Sequence, residues 1–174
     1  VGVISPWNYP LILTATPVVE ALMAGNTVVL KPSELTPLTG KRMGELFHEA
    51  GIPEDVLQVV QGQGDVGASI VDNQKIDMIC FTGSVEVGRK IALACANKLK
   101  PVILELGGKD PMIVLEDANL ERAAGAAVWG GFSNCGQTCI STERVYVVEE
   151  VAEKFISLVK NKTEALNTGP DKTA

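Results

Sequence analysis

Two thiols stand four positions apart in a stretch of small and polar residues, Phe132–Cys139, that reads FSNCGQTC. A thiol in such a loop, just after a segment with a helical pattern, is accessible and can be tuned toward the nucleophilic thiolate. Catalytic residues often lie on loops that a rigid scaffold positions. Cys139 is therefore a candidate nucleophile, and on this stretch alone an inert thiol is an equal alternative. Cys80 and Cys95 lie in apolar surroundings, and we expect both to be inert.

The spacing of Cys135 and Cys139 also fits two metal ligands on one helical face. A structural zinc site needs four ligands, mostly Cys and His, and the chain has a single histidine, His48, far away in the sequence. We therefore expect no metal site. The cysteines lack the short paired spacings of a disulfide framework, which favours reduced thiols.

A carboxylate lies within an apolar run, where Glu105 separates Leu104 from Leu106 and two glycines follow. A carboxylate buried in such a strand needs a partner or a raised pKa. A raised pKa is what a general base requires near neutral pH, so Glu105 is a candidate base. The alternative is a solvated strand end at which Lys109 pairs with Glu105.

Phe81–Ser84 leads from the end of a predicted strand into the start of a predicted helix, and Gly88 follows. Exposed backbone N–H groups and the helix dipole make such a junction suitable for the pyrophosphate of a dinucleotide. The stretch lacks the three glycines of the usual fingerprint, so an ordinary helix that Ser84 caps is an equal alternative.

Further polar residues follow two other predicted strands. Lys31 and Glu34 place a cation and a carboxylate where α/β sheets bind ligands, and a carboxylate there can accept hydrogen bonds from ribose hydroxyls. Asn8 stands between Pro6 and Pro10, where its amide can donate to an oxyanion or form an ordinary Asx turn. All of these groups and the thiol can converge on one crevice.

Apolar, β-branched runs that alternate with helical patterns must position these groups. The strand-like runs lie at Val1–Ser5, Thr27–Lys31, Val56–Val60, Met78–Thr82 and Val102–Leu106, and the clearest helical patterns at Leu11–Ala24, Leu38–Ala50 and Val85–Leu99. Such alternation is typical of right-handed crossovers, so we predict an α/β fold with a doubly wound parallel sheet. Pro17 is expected to kink the first helix.

The alternation of strand-like and helical patterns starts again after Gly107 and Gly108. Strands are predicted at Met112–Leu115 and Arg144–Val148, and helices at Leu120–Gly131 and Val151–Thr163. These elements are too few to close a core, so we expect a first domain over 1–107 and the beginning of a second α/β domain over 108–174. With Val1 as its first residue, the chain is expected to be a segment of a longer protein, with a frayed tail at Asn167–Ala174.

The 174 residues are 46% hydrophobic and only 5% aromatic, with a net charge of -6. This apolar content excludes disorder and suits strands that are buried on both faces. The acidic balance argues against nucleic acid or an anionic membrane as the main partner. No apolar run is long enough for a transmembrane helix. We expect a cytoplasmic protein that acts on a small molecule.

Five ordered motifs carry a resemblance to the aldehyde dehydrogenase superfamily over nearly the whole chain. They are PWNYP at Pro6–Pro10, KPSE at Lys31–Glu34, FTGS at Phe81–Ser84, ELGGK at Glu105–Lys109 and NCGQTC at Asn134–Cys139. The resemblance implies oxidation of an aldehyde to a carboxylic acid with NAD, or alternatively NADP. It also implies a Rossmann-like cofactor domain, followed by a catalytic domain, in a full-length homodimer or homotetramer.

The resemblance also implies a role for each matching residue. Cys139 is similar to the nucleophile that adds to the aldehyde, and Asn8 with the backbone N–H of Cys139 is similar to the oxyanion hole. Glu105 resembles the base that activates water to hydrolyse the thioester. Lys31 and Glu34 resemble the adenosine-ribose ligands. The remaining cofactor contacts implied in this way are Trp7, Gly64, Gly83, Ser84 and Leu106.

Two departures from the family pattern limit these expectations. Pro17 stands where many members have a lysine, which puts a proton relay through that lysine in doubt. The glutamate that holds the nicotinamide ribose lies, by analogy, beyond Ala174.

One alternative is a relative that transfers the acyl group to coenzyme A, against which Glu105 argues. Another is an inactive segment that only binds nucleotide. Small aliphatic aldehydes and semialdehydes both fit as substrates.

Overall fold

The computed structural model describes residues 1–167 and 169. The chain divides into two compact units, Val1–Gly107 and a second unit that begins at Gly108. That these units are a cofactor domain and the start of a catalytic domain stays a prediction. Residues 168 and 170–174, which include most of the tail predicted to fray, lie outside the described residues.

The first unit alternates strands and helices along its length. Its elements are β1 (Gly2–Ile4), α1 (Ile12–Met23), β2 (Val28–Lys31), α2 (Pro37–Glu49), β3 (Leu57–Val59), α3 (Gly64–Asp72), β4 (Ile79–Gly83), α4 (Val85–Ala96) and β5 (Val102–Leu106). All five predicted strands are present. Helix α3 was not predicted from the sequence, because Gly64, Asp65 and Gly67 are poor helix formers.

The five strands form one parallel sheet in the order β3-β2-β1-β4-β5. The predicted α/β fold with a doubly wound parallel sheet is therefore confirmed. β1 pairs with β2 on one side and with β4 on the other, so the strand order reverses beside β1. In open α/β sheets, ligands bind outside the carboxyl ends of the strands at this switch point.

Side chains from the two faces of the sheet form two separate cores. Val3 is in register with Leu30 and Cys80, and these side chains pack in a cluster with Val18 of α1 and Met43 of α2. The next row of the sheet packs in the opposite cluster, where Ile4 and Phe81 contact residues from α3 and α4. Burial on both faces explains why these strands are apolar without alternation.

Helix α1 continues through Pro17 from Ile12 to Met23. Because proline has no N–H, the carbonyl of Leu13 lacks its usual helical partner, and a kink at this point stays a prediction. Near its start, Thr14 Oγ1 donates a hydrogen bond to Ser5 Oγ over 2.7 Å in a buried position. This bond ties α1 to the segment that directly follows β1.

The second unit contains β6 (Asp110–Val114), α5 (Leu120–Phe132), a short 3-10 turn (Ser133–Gly136), β7 (Thr142–Val147) and α6 (Glu149–Glu164). β6 and β7 pair in parallel. The expectation that these elements cannot close a core was wrong, because Val114, Ala124, Ala127 and Phe155 form a small buried cluster. Among residues 1–167 and 169, every helix is too short or too polar to cross a membrane.

The turn that follows α4 contains a left-handed residue that is not glycine. Leu99 has a φ of 52° and its side chain is 92% exposed. The N–H of Leu99 bonds to the carbonyl of Ala96, and the N–H of Lys100 bonds to the carbonyl of Cys95. This is the Schellman arrangement, which favours glycine because a Cβ is strained at positive φ.

We predict that Leu99→Gly raises the free energy of unfolding by about 0.5–1 kcal/mol, because it relieves this strain and removes no buried contact. The same change at Leu93, an exposed position inside α4, should lower it by about 1 kcal/mol. Denaturant titration of both variants measures the two shifts, and a destabilised Leu99→Gly variant would contradict the account.

Candidate active site

The residues of the first unit that the sequence predicts for the site come together where the carboxyl ends of the strands form one edge of the sheet. Lys31, Gly83 and Leu106 are the last residues of β2, β4 and β5, and Asn8 follows shortly after β1. Gly64 begins α3, shortly after β3 ends. Because all five strands are parallel, these carboxyl ends lie along the same edge.

Lys31 is a buried cation in this edge. Its side chain is only 5% exposed, and Nζ donates to a Glu34 carboxylate oxygen over 3.1 Å and to the carbonyl of Pro32 over 3.2 Å. A Cβ on Gly67 of α3 would lie 3.9 Å from Lys31 Cδ, so the aliphatic stem runs beside α3. A buried ammonium needs such partners, and they fix its position.

Glu34 presents a carboxylate at the surface of the same site. A hydrogen bond from its own backbone N–H, followed by the Lys31 ammonium, lowers the pKa of Glu34 below its ordinary value. The carboxylate is therefore ionised at neutral pH. Its side chain is 51% exposed, so its oxygens can accept further hydrogen bonds from a ligand.

The junction from β4 to α4 is an N-capped helix start. Ser84 Oγ accepts a hydrogen bond from the N–H of Val87 over 3.3 Å, which is the capping alternative considered above. A capping hydroxyl still has a proton to donate. A Cβ on Gly83 would lie 2.5 Å from Phe81 Cζ, so the buried Phe81 ring leaves no room for a side chain at Gly83.

The other predicted cofactor contacts differ in their surroundings. Trp7 is 42% exposed, and Asn8 is partly buried. A Cβ on Gly64 would meet open space at the start of α3. Leu106 is partly buried and packs on α4, because a Cβ on Gly88 would lie 2.6 Å from its side chain.

Glu105 is exposed, so the prediction of a buried carboxylate was wrong. β5 is an edge strand, and its residues alternate between partly buried and exposed positions. Ile103, on the same face as Glu105, is 47% exposed. Of the alternative, the solvated strand end is present, but the Lys109 ammonium bonds to Glu143 rather than to Glu105.

Cys139 lies in a loop of consecutive tight turns between α5 and β7. Asn134, Cys135 and Gly136 have φ values of 51°, 59° and 75°. The N–H of Thr138 bonds to the carbonyl of Gly136 over 2.9 Å. Cys139 is partly buried, and within residues 1–167 and 169 its backbone N–H has no hydrogen-bond partner.

The other thiols occupy different environments. Cys135 is exposed, Cys80 is partly buried, and Cys95 is fully buried. Burial raises the pKa of both Cys80 and Cys95, which favours the protonated thiol near neutral pH. No group of three His, Cys, Asp or Glu side chains in the described part of the chain is arranged to hold a metal ion.

Two further residues that support the site were not predicted from the sequence. Ser33 is buried, and its Oγ accepts a hydrogen bond from the N–H of Leu35, which shapes the turn after β2. Gly67 lies beside the Lys31 stem, where a Cβ would make an ordinary van der Waals contact with it. The spacing of three residues between Gly64 and Gly67, about one helical turn, is the only sequence signal for Gly67.

A separate surface depression, beside α2 and β3, is lined by residues that include His48 and Gln61.

Comparisons with known proteins agree on a family. The aldehyde dehydrogenase family model matches residues 1–174. A mitochondrial aldehyde dehydrogenase of Leishmania tarentolae is 46% identical over 171 residues, which are 97% of this chain and 34% of that protein. A crystal structure of an NAD-dependent aldehyde dehydrogenase from Sinorhizobium meliloti matches with a TM-score of 0.94 and 43% identity, over 97% of this chain and 34% of that chain. An NADP-dependent enzyme of E. coli matches with a TM-score of 0.94 and 39% identity, over 97% and 35%. The chain spans about a third of the length of these relatives.

The thiol environments give a testable order of reactivity. Near neutral pH, iodoacetamide should modify Cys95 at least about tenfold more slowly than Cys135, because only the thiolate reacts and burial raises the pKa of Cys95. The Cys95 rate should rise as the pH approaches that raised pKa. Time-resolved peptide mass spectrometry of the folded protein measures each rate, and equal rates near neutral pH would contradict this assignment.

Proposed function

Because the chain belongs to the aldehyde dehydrogenase family, we propose that it carries the nucleophile, the water-activating base and part of the cofactor site of an NAD(P)-dependent enzyme that oxidises an aldehyde to a carboxylic acid. The observation that carries this proposal is the ion pair of the buried Lys31 with the exposed Glu34, at the carboxyl ends of the parallel strands beside the switch point. NAD-dependent and NADP-dependent proteins among its structural relatives support the cofactor.

The residues at the sheet edge fit a dinucleotide. Two of the three N–H donors of Lys31 bond to Pro32 and Glu34, which leaves one for a ribose oxygen. The ionised Glu34 can accept hydrogen bonds from ribose hydroxyls. A pyrophosphate is expected at Gly83 and Ser84, at the N-terminus of α4. When bound, NAD(P)+ supplies a nicotinamide ring that accepts a hydride.

Glu34 favours NAD over NADP. A carboxylate at the ribose repels a 2′-phosphate, whereas Lys31 attracts one, and the exposed position belongs to Glu34. The Lys31–Glu34 pair therefore favours NAD and allows NADP to bind with lower affinity.

Cys139 performs the first covalent step in this proposal. Its thiolate adds to the aldehyde carbon, so that a C–S bond forms and the carbonyl π electrons move to oxygen. Asn8 and the N–H of Cys139 donate to this oxyanion, and the lack of another partner for that N–H among the described residues suits it to the role. Each such donor contributes about 3–4 kcal/mol in comparable acyl-transfer sites.

Glu105 performs the second chemical role. Once a hydride has left the adduct, Cys139 holds a thioester. Glu105 accepts a proton from water, the hydroxide attacks the thioester carbon, and the C–S bond breaks to release the acid and the thiolate. The exposure of Glu105 allows water to reach it. A coenzyme A-dependent relative would not need this base, so acid formation without coenzyme A separates the two functions.

These roles refer to the full-length protein, because the chain spans about a third of its relatives. We expect these 174 residues by themselves to be inactive, because they match only that third of the relatives. A homodimer or homotetramer and a cytoplasmic location are part of the proposal, although the Leishmania relative is mitochondrial.

In the full-length protein, Cys139→Ser should lower aldehyde-dependent NADH formation at least about a thousandfold, because a hydroxyl is a much weaker nucleophile than a thiolate. Cys135→Ser, in the same loop, is the matched control and should keep activity within about threefold. NADH absorbance measures both rates. Normal turnover by Cys139→Ser would rule out the proposed nucleophile.

Glu34→Gln should raise the KM for NAD+ about tenfold and leave kcat nearly unchanged, because a charged acceptor binds ribose hydroxyls more strongly than an amide does. The KM for NADP+ should rise less, since the repulsion of the 2′-phosphate is removed. Initial rates with both cofactors measure this difference, with Glu49→Gln, an exposed change on α2, as the control. Unchanged KM values for both cofactors would place the ribose elsewhere.

A further inference from the structure

We propose that Ser141 is a positioning residue for Cys139, because it fixes the direction of the Cys139 backbone N–H. This inference rests on the proposed function, in which that N–H donates to the oxyanion. All of the contacts involved lie within the second unit, as does Cys139 itself. Ser141 belongs to neither the proposed catalytic set nor the proposed cofactor set.

Ser141 is a buried polar residue two positions after the proposed nucleophile. It is 5% exposed, and no other polar residue is buried in the part of the second unit that the structure describes. A buried hydroxyl needs a hydrogen-bond partner. Ser141 Oγ donates to the main-chain carbonyl of Gly130 over 2.9 Å. Gly130 lies in the last turn of α5, where helix carbonyls lose their usual N–H partners.

The backbone of Ser141 orients the peptide group that carries the Cys139 N–H. The N–H of Ser141 donates to the carbonyl of Thr138 over 3.0 Å, which closes a β-turn. The central residues of this turn are Cys139 and Ile140. The Thr138 carbonyl and the Cys139 N–H belong to one planar trans peptide group, so they point in opposite directions. The bond from Ser141 therefore directs the Cys139 N–H away from the turn.

The sheet gives little support to the chain at Ser141. β7 begins at Thr142, and the register with β6 then shifts, because Glu143 is an extra residue in β7. Such a β-bulge interrupts the ladder of strand hydrogen bonds. The side-chain bond of Ser141 to α5 is therefore the anchor at this end of the loop that contains Cys139.

Both ends of the loop between α5 and β7 are fastened to the last turn of α5. Ser133 Oγ donates to the carbonyl of Trp129 over 2.6 Å at the first end, and Ser141 bonds to α5 at the second. A Cβ on Gly130 would lie 2.5 Å from Thr142 Oγ1, so the absence of a side chain at Gly130 lets the second end approach the helix. The β-turn at Cys139 is thus held on a rigid element.

Loss of the Ser141 hydroxyl should release the peptide group that carries the Cys139 N–H. When the thiolate adds to an aldehyde, a C–S bond forms and the carbonyl π electrons move to oxygen, which an aimed donor stabilises. Alkylation by iodoacetamide also forms a C–S bond, but it releases iodide and creates no oxyanion. A misdirected N–H therefore slows the first reaction alone, whereas a general loss of structure changes both.

The test compares the two reactions in the full-length enzyme. Stopped-flow absorbance follows NADH in a single turnover with an aldehyde that the wild type oxidises, and peptide mass spectrometry follows alkylation of Cys139. Ser141→Ala should slow NADH formation about tenfold, since complete removal of such a donor costs about a hundredfold or more. The rate of alkylation should stay within about twofold of the wild type.

Thr163→Val is the matched control, because Thr163 Oγ1 donates to a helix carbonyl, that of Val159, over 2.8 Å in the same unit. It should leave both rates unchanged. The role of Ser141 is overturned if Ser141→Ala forms NADH at the wild-type rate, if both reactions slow together, or if Thr163→Val has the same effect. Mass spectrometry of the quenched wild-type reaction that finds no acyl group on Cys139 would instead overturn the proposed function, a distinguishable result.

Discussion

The pairing of β1 with both β2 and β4 is the constraint on which the rest of the first unit depends. With all strands parallel, the pairing brings the ends of β1, β2 and β4 to one edge and fixes which residues meet there. Ile4 lies in register with Lys31 on one side and with Phe81 on the other. The polar residues at this edge follow from that register, because each comes from the turn after a strand.

The burial of Lys31 gives this edge its chemical character. An unpaired ammonium at this depth would be strongly destabilising, so the turn after β2 must supply acceptors. It does so through the Pro32 carbonyl and the Glu34 carboxylate. The same contacts keep Glu34 ionised and leave part of it open to solvent. Folding of the turn and formation of the Lys31–Glu34 pair are therefore one event.

The sequence was sufficient for the sheet and for the identity of the chemical groups, because apolar β-branched runs and turn residues are local signals. Prediction from the sequence failed where the structure of an element depends on the elements that pack or pair with it. Helix α3 is rich in glycine, and packing rather than intrinsic propensity stabilises it. Glu105 was expected to be buried, but β5 lies at the sheet edge, which its own residues do not reveal. The bulge at Glu143 depends on register with β6, and the left-handed turns before Cys139 carry only one glycine as a signal.

The central proposal is that the carboxyl ends of β1, β2 and β4 form a cofactor site. A crystal structure of the full-length protein with NAD+ tests it most directly. We expect the adenosine ribose within hydrogen-bonding distance of Lys31 Nζ and a Glu34 carboxylate oxygen, with the pyrophosphate at Gly83 and Ser84. A dinucleotide bound elsewhere, such as in the depression lined by His48 and Gln61 beside β3, would contradict it.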